Sequence, residues 1–170
     1  MTKNNSDRDH VRHRPPTNLE NPRPLIIACP QLRSGVNLSR IVRLAGCAGI
    51  TRMVVCGNTK IDPKVARDGA EIVQLERRRS LAPPLARLRA EGFRMVGLEQ
   101  TTRSQNLHHY HFHRKTVLCL GHERDGMEQE SIDLMDDLIE IPVYGLPYSY
   151  NVVTATTMAV YEYCRQFPNG

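Results

Sequence analysis

Five short apolar runs constrain the fold of this chain more than any other feature. Each is four to six residues long and is followed by a polar stretch. A strand that is buried on both faces of a parallel sheet has this unbroken apolar character, so the runs predict five such strands. The predicted strands are Leu25–Cys29, Met53–Cys56, Met95–Leu98, Thr116–Gly121 and Leu138–Ile141.

Stretches with helical spacing or helix-capping residues separate these strands. The order strand, helix, strand from Leu25 to Cys56 is a βαβ unit, which indicates an α/β domain with a parallel sheet. Ser80 is predicted to cap the helix that follows it. The predicted helices are Val36–Ala48, Pro63–Arg67, Leu81–Ala90, a helix near Glu128–Met135, and Ser149–Arg165.

A loop that contains Pro and Gly, Pro142–Tyr148, leads into the last predicted helix. Ser149 and Asn151 suit a helix start, because their oxygens accept hydrogen bonds from free backbone N–H groups. Such a loop also leaves backbone donors and acceptors free for a polar ligand. The sequence leaves both interpretations open at this point.

The length and charge of the chain bound its class. A chain of 170 residues suits one domain. The formal charge of +5 favours a polyanionic partner, although a mild basic excess is also common in proteins that bind no nucleic acid. With three Phe, six Tyr and no Trp, a surface of stacking aromatic residues is not expected.

Residues 1–23 lack apolar periodicity, and we predict a basic, largely disordered tail before a folded domain of residues 24–170. The arginines of this tail either contact phosphates or remain solvated; they are Arg8, Arg12, Arg14 and Arg23. The same two alternatives hold for the cluster Arg77–Arg79.

The potential metal ligands do not form a recognisable metal site. The five cysteines are scattered without CxxC spacing, which indicates small buried residues in a reducing compartment. His108, His109, His111 and His113 lie within six residues, and alternation puts the last three on one face of an extended segment. A surface loop is the favoured interpretation of this histidine cluster, and we predict no metal. Since no apolar run reaches the length of a membrane span, we expect a cytoplasmic protein.

The ends of three predicted strands should lie close together: Leu98, Gly121 and Ile141. Gly121 is followed by His122–Gly126, which is either a ligand-binding loop or an ordinary polar turn. The sequence contains no GxGxxG after the first strand, no Walker A motif, no GxSxG and no HExxH. Nicotinamide, P-loop, common serine hydrolase and zincin chemistries therefore lose their main support.

Three further stretches follow one another along the chain. The first is Asn37–Ala45, the second is Leu120–Gly126, and the third joins Ile141-Pro142 to Ser149–Val152. In this order they resemble the three motifs of the SpoU (TrmH-like) branch of the SPOUT methyltransferases, with Asn37 and Arg43 as the signature of the first. Three motifs in this order make a specific signal that covers about residues 24–166.

The resemblance implies a Rossmann-like α/β fold with a deep C-terminal trefoil knot, and a homodimer that completes each active site. It implies S-adenosylmethionine as methyl donor, the 2′-hydroxyl of an RNA ribose as acceptor, and no metal. Stretches around Gly97–Thr101 and Gly121–Gly126 look most like the enzymes that methylate guanosine 18 of tRNA, so tRNA is favoured over rRNA.

The resemblance also implies roles for individual residues. Arg43 is expected to help activate the hydroxyl by electrostatics, because a guanidinium stays protonated and is a poor base. Asn37 and Glu123 are expected to hold the loops of the first two motifs, and Ser149 and Asn151 to lie beside donor and ribose. The expected donor-binding residues are Leu98, Glu99, Gly121, Ile141, Leu146, Ser149 and Asn151.

Two other functions compete with this one. A catalytically silent RNA-binding module would have the same fold, but the retained Asn37, Arg43 and Glu123 speak against it. A small-molecule α/β enzyme would show no dependence on RNA and a weak response to salt.

Overall fold

The structure of the chain is a computed structural model that describes residues 14–170. It contains one sheet of seven strands in the order β3-β2-β1-β6-β4-β7-β5, and every paired neighbour is parallel. The predicted parallel α/β sheet is thereby confirmed. The strands are β1 (Leu25–Cys29), β2 (Arg52–Cys56), β3 (Gln74–Arg78), β4 (Arg94–Leu98), β5 (Gln105–Asn106), β6 (Thr116–Leu120) and β7 (Asp137–Glu140).

Six α-helices and one short 3₁₀ helix, Leu107–His109, are described. The two long helices are α1, which begins just after its cap Ser34, and α6, which ends the domain. The α-helices are α1 (Gly35–Cys47), α2 (Pro63–Ala66), α3 (Gly69–Ile72), α4 (Ala82–Ala90), α5 (Gln129–Ile132) and α6 (Val152–Gln166).

The sheet is covered on both faces, which explains why its central strands are apolar throughout. Leu25, Ile27 and Cys29 of β1 point to one core, which also contains buried side chains of α1 and α6. Ile26 and Ala28 point to the other core, against α4. Successive side chains of a strand point to opposite faces, so every position of β1 is buried.

Two strands of the sheet were missed by the sequence analysis, since neither has an apolar run. β3 is a polar, mostly exposed edge strand that pairs with β2, and β5 has only two residues. Arg77 and Arg78 of the basic cluster lie in β3, where the Arg77 guanidinium donates to the carbonyls of Gly57 and Thr59. Charged side chains are a common way to protect an edge strand from further pairing.

Three helix predictions need correction. The helix expected near Glu128–Met135 is limited to Gln129–Ile132. Ser80 does not cap α4, because Leu81 occupies the cap position and no side chain caps this helix. Ser149 lies outside α6, whose cap is Asn151: its Oδ1 accepts from the N–H of Val153 at 2.9 Å.

Burial separates the cysteines. Cys29, Cys56 and Cys119 are buried as predicted, whereas Cys47 is exposed on α1. Burial raises the pKa of the Cys119 thiol to about 12, so this side chain stays protonated and acts as a small apolar group.

Part of the N-terminal segment contacts the rest of the domain: the N–H of Glu20 donates to the carbonyl of Asn169 at 3.2 Å. Arg23 is buried, and its guanidinium donates to the carbonyl oxygens of Ala48 at 2.8 Å, of Pro168 at 3.3 Å, and of Phe167. The prediction that Arg23 is solvated or contacts phosphate is therefore wrong. Arg14 is exposed, while Arg8 and Arg12 lie outside the described residues.

We predict that Arg23→Met destabilises the protein by about 1–3 kcal/mol, because three carbonyl oxygens lose a charged donor that Met cannot replace. The free energy of unfolding from urea denaturation measures the effect. Arg14→Met is the matched control and should change stability by less than about 0.5 kcal/mol. Equal effects of the two substitutions would show that the buried contacts of Arg23 contribute nothing.

Candidate functional site

A cavity of about 460 Å³ opens at the carboxyl ends of β4, β6 and β7. Ligands of open α/β sheets bind at this edge. Its wall is built from the loops after these strands and from the first turn of α6. Seven predicted site residues belong to the wall: Leu98, Glu99, Gly121, Glu123, Ile141, Ser149 and Asn151. Leu146 does not; it is exposed outside the cavity.

Glu99 ties the end of β4 to the loop that follows β6. Its Oε2 accepts from the N–H of Met127 at 2.7 Å, and its Oε1 accepts from the N–H of Gln100 at 3.0 Å. A Cβ atom on Gly121 would lie 2.6 Å from Oε2, and one on Gly126 would lie 2.9 Å from it. A side chain at either position would therefore force the carboxylate to move from the place where it binds these N–H groups.

Glu123 joins the loop after β6 to the start of α1. Its Oε1 accepts from Nδ2 of Asn37 at 2.7 Å, and its Oε2 accepts from the N–H of Arg33 at 2.6 Å. A carboxylate at the N-terminus of a helix is also favoured by the helix dipole. We call these hydrogen bonds the Glu123 clasp.

The segment His122–Gly126 is a closed loop on the cavity wall. The backbones of His122 and Gly126 exchange two hydrogen bonds, at 2.8 and 3.0 Å, in an antiparallel bridge. Nδ1 of His122 lies 3.0 Å from Oδ2 of Asp125. Gly126 has φ +70°, a conformation that favours glycine and lets the chain turn back.

Arg43 does not line the cavity, although it belongs to the same helix as Asn37. Six residues of helix separate the two side chains by about 9 Å along the axis and about 120° around it. Arg43 lies on an exposed stripe of α1 with Val36, Arg40 and Cys47. One copy of the chain places Glu123, Ser149 and Asn151 in the cavity wall. Asn37 lies outside the wall but is hydrogen-bonded to Glu123, whereas Arg43 is separate from the site.

The loop before α6 has no internal hydrogen bonds. In the described structure, residues 142–150 make no hydrogen bond, either through the backbone or through side chains. Ser149 and Tyr150 face the cavity, whereas Tyr144 and Tyr148 are exposed. The low aromatic content predicted that there would be no aromatic surface. Composition gives only the number of aromatic residues, and it does not show that three of the tyrosines lie in one loop.

Sequence reasoning also missed part of the wall. Val152 and Ala155 lie in the first turn of α6, three residues apart on one face, and both line the cavity. Helical spacing from Asn151 would have identified them. The other wall residues beyond those predicted by name are mainly neighbours in the same loops.

The charge of the wall is mainly negative. The residues of the wall include four carboxylates, those of Glu99, Glu123, Asp125 and Glu140, and one guanidinium, that of Arg124. Glu140 accepts a hydrogen bond from the hydroxyl of Ser104 at 2.8 Å, so three of these carboxylates are held by donors of the protein. The wall favours a ligand with a cationic group.

The histidine cluster lies away from this cavity. His109, His111 and His113 are exposed as the alternation predicted, while Tyr110 and Phe112 between them are buried. Within residues 14–170, no group of three or more His, Cys, Asp or Glu side chains is placed to hold a metal ion. Over the same residues, no helix is long and apolar enough to cross a membrane.

Comparison with known proteins adds relatives of two kinds. The chain is 31% identical over 152 residues to the 23S rRNA (guanosine-2′-O-)-methyltransferase RlmB of Acinetobacter baylyi, and the aligned region covers 86% of this chain and 61% of that protein. It is 39% identical over 82 residues to the tRNA (guanosine(18)-2′-O)-methyltransferase TARBP1 of Mus musculus, which covers 48% of this chain and 5% of that protein. The chain thus spans less than two thirds of these relatives.

A solved structure and a family model agree with these relatives. The A. aeolicus TrmH/SpoU tRNA modifying enzyme superposes with a TM-score of 0.82 at 26% identity, over 88% of this chain and 78% of that one. The model of the SpoU rRNA Methylase family matches residues 24–161. This range contains all three motifs and every strand of the sheet. The resemblance seen in the sequence is confirmed, and the chain belongs to the SpoU rRNA Methylase family.

Proposed function

We propose that this chain transfers a methyl group from S-adenosylmethionine to the 2′-hydroxyl of a ribose in structured RNA. One observation carries the proposal: the second and third family motifs line a single cavity, and Asn37 of the first motif is hydrogen-bonded to Glu123 of its wall. The mouse relative is named a tRNA enzyme and the Acinetobacter relative an rRNA enzyme. We favour tRNA, with guanosine 18 as the candidate nucleotide, and keep rRNA as the alternative.

The cavity suits this donor in size and charge. Its volume of about 460 Å³ lies in the range of small-molecule sites. The donor would supply a methyl group on a positively charged sulfur, and the carboxylates of the wall favour such a charge. Val143, Ser149 and Tyr150, which line the cavity, offer unpaired backbone groups for its polar parts. The proposed donor-binding residues are Leu98, Glu99, Gly121, Ile141, Ser149 and Asn151, without Leu146.

Ser149 and Asn151 are proposed to orient the ribose and the donor. The Oδ1 atom of Asn151 is used by the helix cap, which leaves its Nδ2 group free to donate. The hydroxyl of Ser149 has no partner within the described residues and can donate or accept. The main catalytic contribution of these residues is to align the acceptor oxygen with the methyl carbon.

Arg43 is proposed to stabilise negative charge on the ribose oxygen while the carbon–oxygen bond forms and the carbon–sulfur bond breaks. The proton of the hydroxyl would pass to a substrate phosphate or to water, since a guanidinium stays protonated. Because Arg43 lies outside the cavity wall of its own chain, we propose that a homodimer brings Arg43 of a second copy to the cavity.

The trefoil knot and the location in the cell also remain proposals. β7 lies between β4 and β5 in the sheet, so the segment that follows it starts inside the sheet and not at an edge. α6 then packs on α1 and β4, and this return of the chain supports a threaded C-terminus. The described part of the chain has no membrane-spanning helix, and we propose that the protein is cytoplasmic.

The first test is transfer of labelled methyl from S-adenosylmethionine to bulk tRNA and, separately, to rRNA. Digestion to nucleosides should recover the label in tRNA as 2′-O-methylguanosine. Label in rRNA alone would keep the activity and replace the substrate. Donor binding without label in either RNA would favour the catalytically silent RNA-binding module.

We predict that Arg43→Ala lowers kcat by about 100-fold or more, since it removes charge stabilisation that acts on the reacting oxygen. Donor affinity, measured by calorimetry, should stay within about twofold, because the proposed role of Arg43 is to stabilise charge on the ribose oxygen of the acceptor and not to bind the donor. Arg40→Ala is the matched control on the same exposed stripe and should retain most of the activity. An Arg43→Ala enzyme with normal kcat would remove Arg43 from the mechanism.

A third prediction concerns the Glu123 clasp. Glu123→Gln keeps the shape of the side chain but removes the charge that strengthens its hydrogen bonds from Arg33 and Asn37. The affinity for the donor should therefore fall about tenfold. The exposed Glu130→Gln is the control and should leave the affinity unchanged. If both variants bind the donor alike, the clasp does not shape the cavity.

A further inference from the structure

We propose that residues 144–150, which we call the tyrosine loop, stack against unpaired nucleobases of the RNA that flank the methylated nucleotide. This inference rests on the proposed function and adds to it a base-binding surface with named residues. It commits to nucleobases as the occupant of the loop.

The tyrosine loop is the most exposed apolar segment that the structure describes. Tyr144 is 87% exposed, Leu146 76%, Tyr148 80% and Tyr150 40%. The other large apolar side chains with high exposure are isolated on separate helices; they are Val36, Ile72 and Tyr161. Single exposed apolar residues are ordinary, whereas a cluster indicates a binding surface.

No other segment of the described chain covers these exposed side chains. Residues 142–150 make no hydrogen bond, so no polar group of the sheet or of a helix is paired with the loop. A Cβ atom added to Gly145 would meet no atom within 4 Å, which shows open space around the middle of the loop. The aromatic side chains are therefore available to a partner.

The loop runs along the rim of the cavity. Val143, Ser149 and Tyr150 belong to the cavity wall, while Tyr144 and Tyr148 lie between them in the chain and face solvent. A ribose that presents its 2′-hydroxyl to the cavity carries its own base and the adjacent nucleotides to this rim. The tyrosines are therefore adjacent to the side of the cavity that such bases would approach.

The chemistry of the loop matches an unpaired base. Aromatic rings stack on any nucleobase, and a tyrosine hydroxyl can also bond to a base edge. Sequence-specific proteins bind RNA mainly at loops, where bases are unstacked and accessible. The exposed Arg124 on the cavity wall supplies a cation for an adjacent phosphate.

A second copy of the chain is the competing occupant. If a second copy covered the whole loop, it would also close the rim of the cavity through which the acceptor ribose has to enter. Three of the four exposed side chains carry hydroxyl groups, which suits a surface that alternates between water and nucleobases. The measurement of mass in solution separates the two occupants.

The test compares two double variants. Tyr144→Leu with Tyr148→Leu removes both rings, whereas Tyr144→Phe with Tyr148→Phe keeps them and removes the hydroxyls. Tyr161→Leu is the matched control, since Tyr161 is 72% exposed but lies on α6 outside the cavity wall. Affinity for bulk tRNA should fall about tenfold or more in the double Leu variant. It should change less than about twofold in the double Phe variant and in Tyr161→Leu.

Intrinsic fluorescence gives a second measurement. The chain has six Tyr and no Trp, so its emission comes from tyrosine alone. Addition of tRNA should quench this emission through base stacking, and the double Leu variant should lose most of the quenching. Donor affinity and mass by sedimentation should not differ among the variants.

Three results would overturn the inference: unchanged tRNA affinity in the double Leu variant, a parallel loss of donor affinity, or a change of mass that identifies a second copy as the occupant. Because binding is measured apart from methyl transfer, the two proposals fail separately. The protein could transfer no methyl group while its tRNA affinity still falls in the double Leu variant. That result would support base stacking by the tyrosine loop and contradict the proposed methyltransferase activity.

Discussion

The carboxylate of Glu123 is the interaction on which the cavity most depends. It accepts hydrogen bonds from Nδ2 of Asn37 and from the N–H of Arg33, so it connects the loop after β6 to the start of α1. These two segments are almost ninety residues apart in the chain, and a charged acceptor makes each bond stronger than a neutral one would. Glu99 makes the equivalent connection from β4 to Met127, over Gly121 and Gly126. Two carboxylates thus fix three loops at one edge of the sheet.

The opposite side of the cavity is built on a different principle. Residues 142–150 make no hydrogen bond within the described chain, and Asn151 only caps the helix that follows. A wall that is fixed on one side and free on the other can hold a small ligand and still admit a large one. The fixed loops define the shape of the cavity, while the free loop retains backbone groups and aromatic side chains that a ligand can use.

The sequence predicted the central strands well because burial on both faces leaves a local signal. β1, β2, β4 and β6 were each recognised from unbroken apolar runs. β3 and β5 were not, since an edge strand is specified by its neighbour in the sheet and not by its own side chains. Arg23 was misread for a related reason: its three carbonyl acceptors are more than twenty residues away in the chain, and composition around Arg23 resembles a disordered tail.

In the candidate site, too, the sequence predicted the features that have a local signal and missed those that depend on distant parts of the chain. Strand ends and loops adjacent to apolar runs were found, and Leu98, Gly121 and Ile141 do line one cavity. The position of Arg43 could not be derived, because motif spacing says nothing about which side of a helix faces which copy. Asn37 points toward Glu123, so the geometry of α1 turns Arg43 about 120° away from it. Within one copy of the chain, α1 therefore fixes the loop after β6 with one face and leaves the guanidinium of Arg43 exposed on another. This separation is the physical argument behind the proposal that Arg43 acts at the cavity of a second copy.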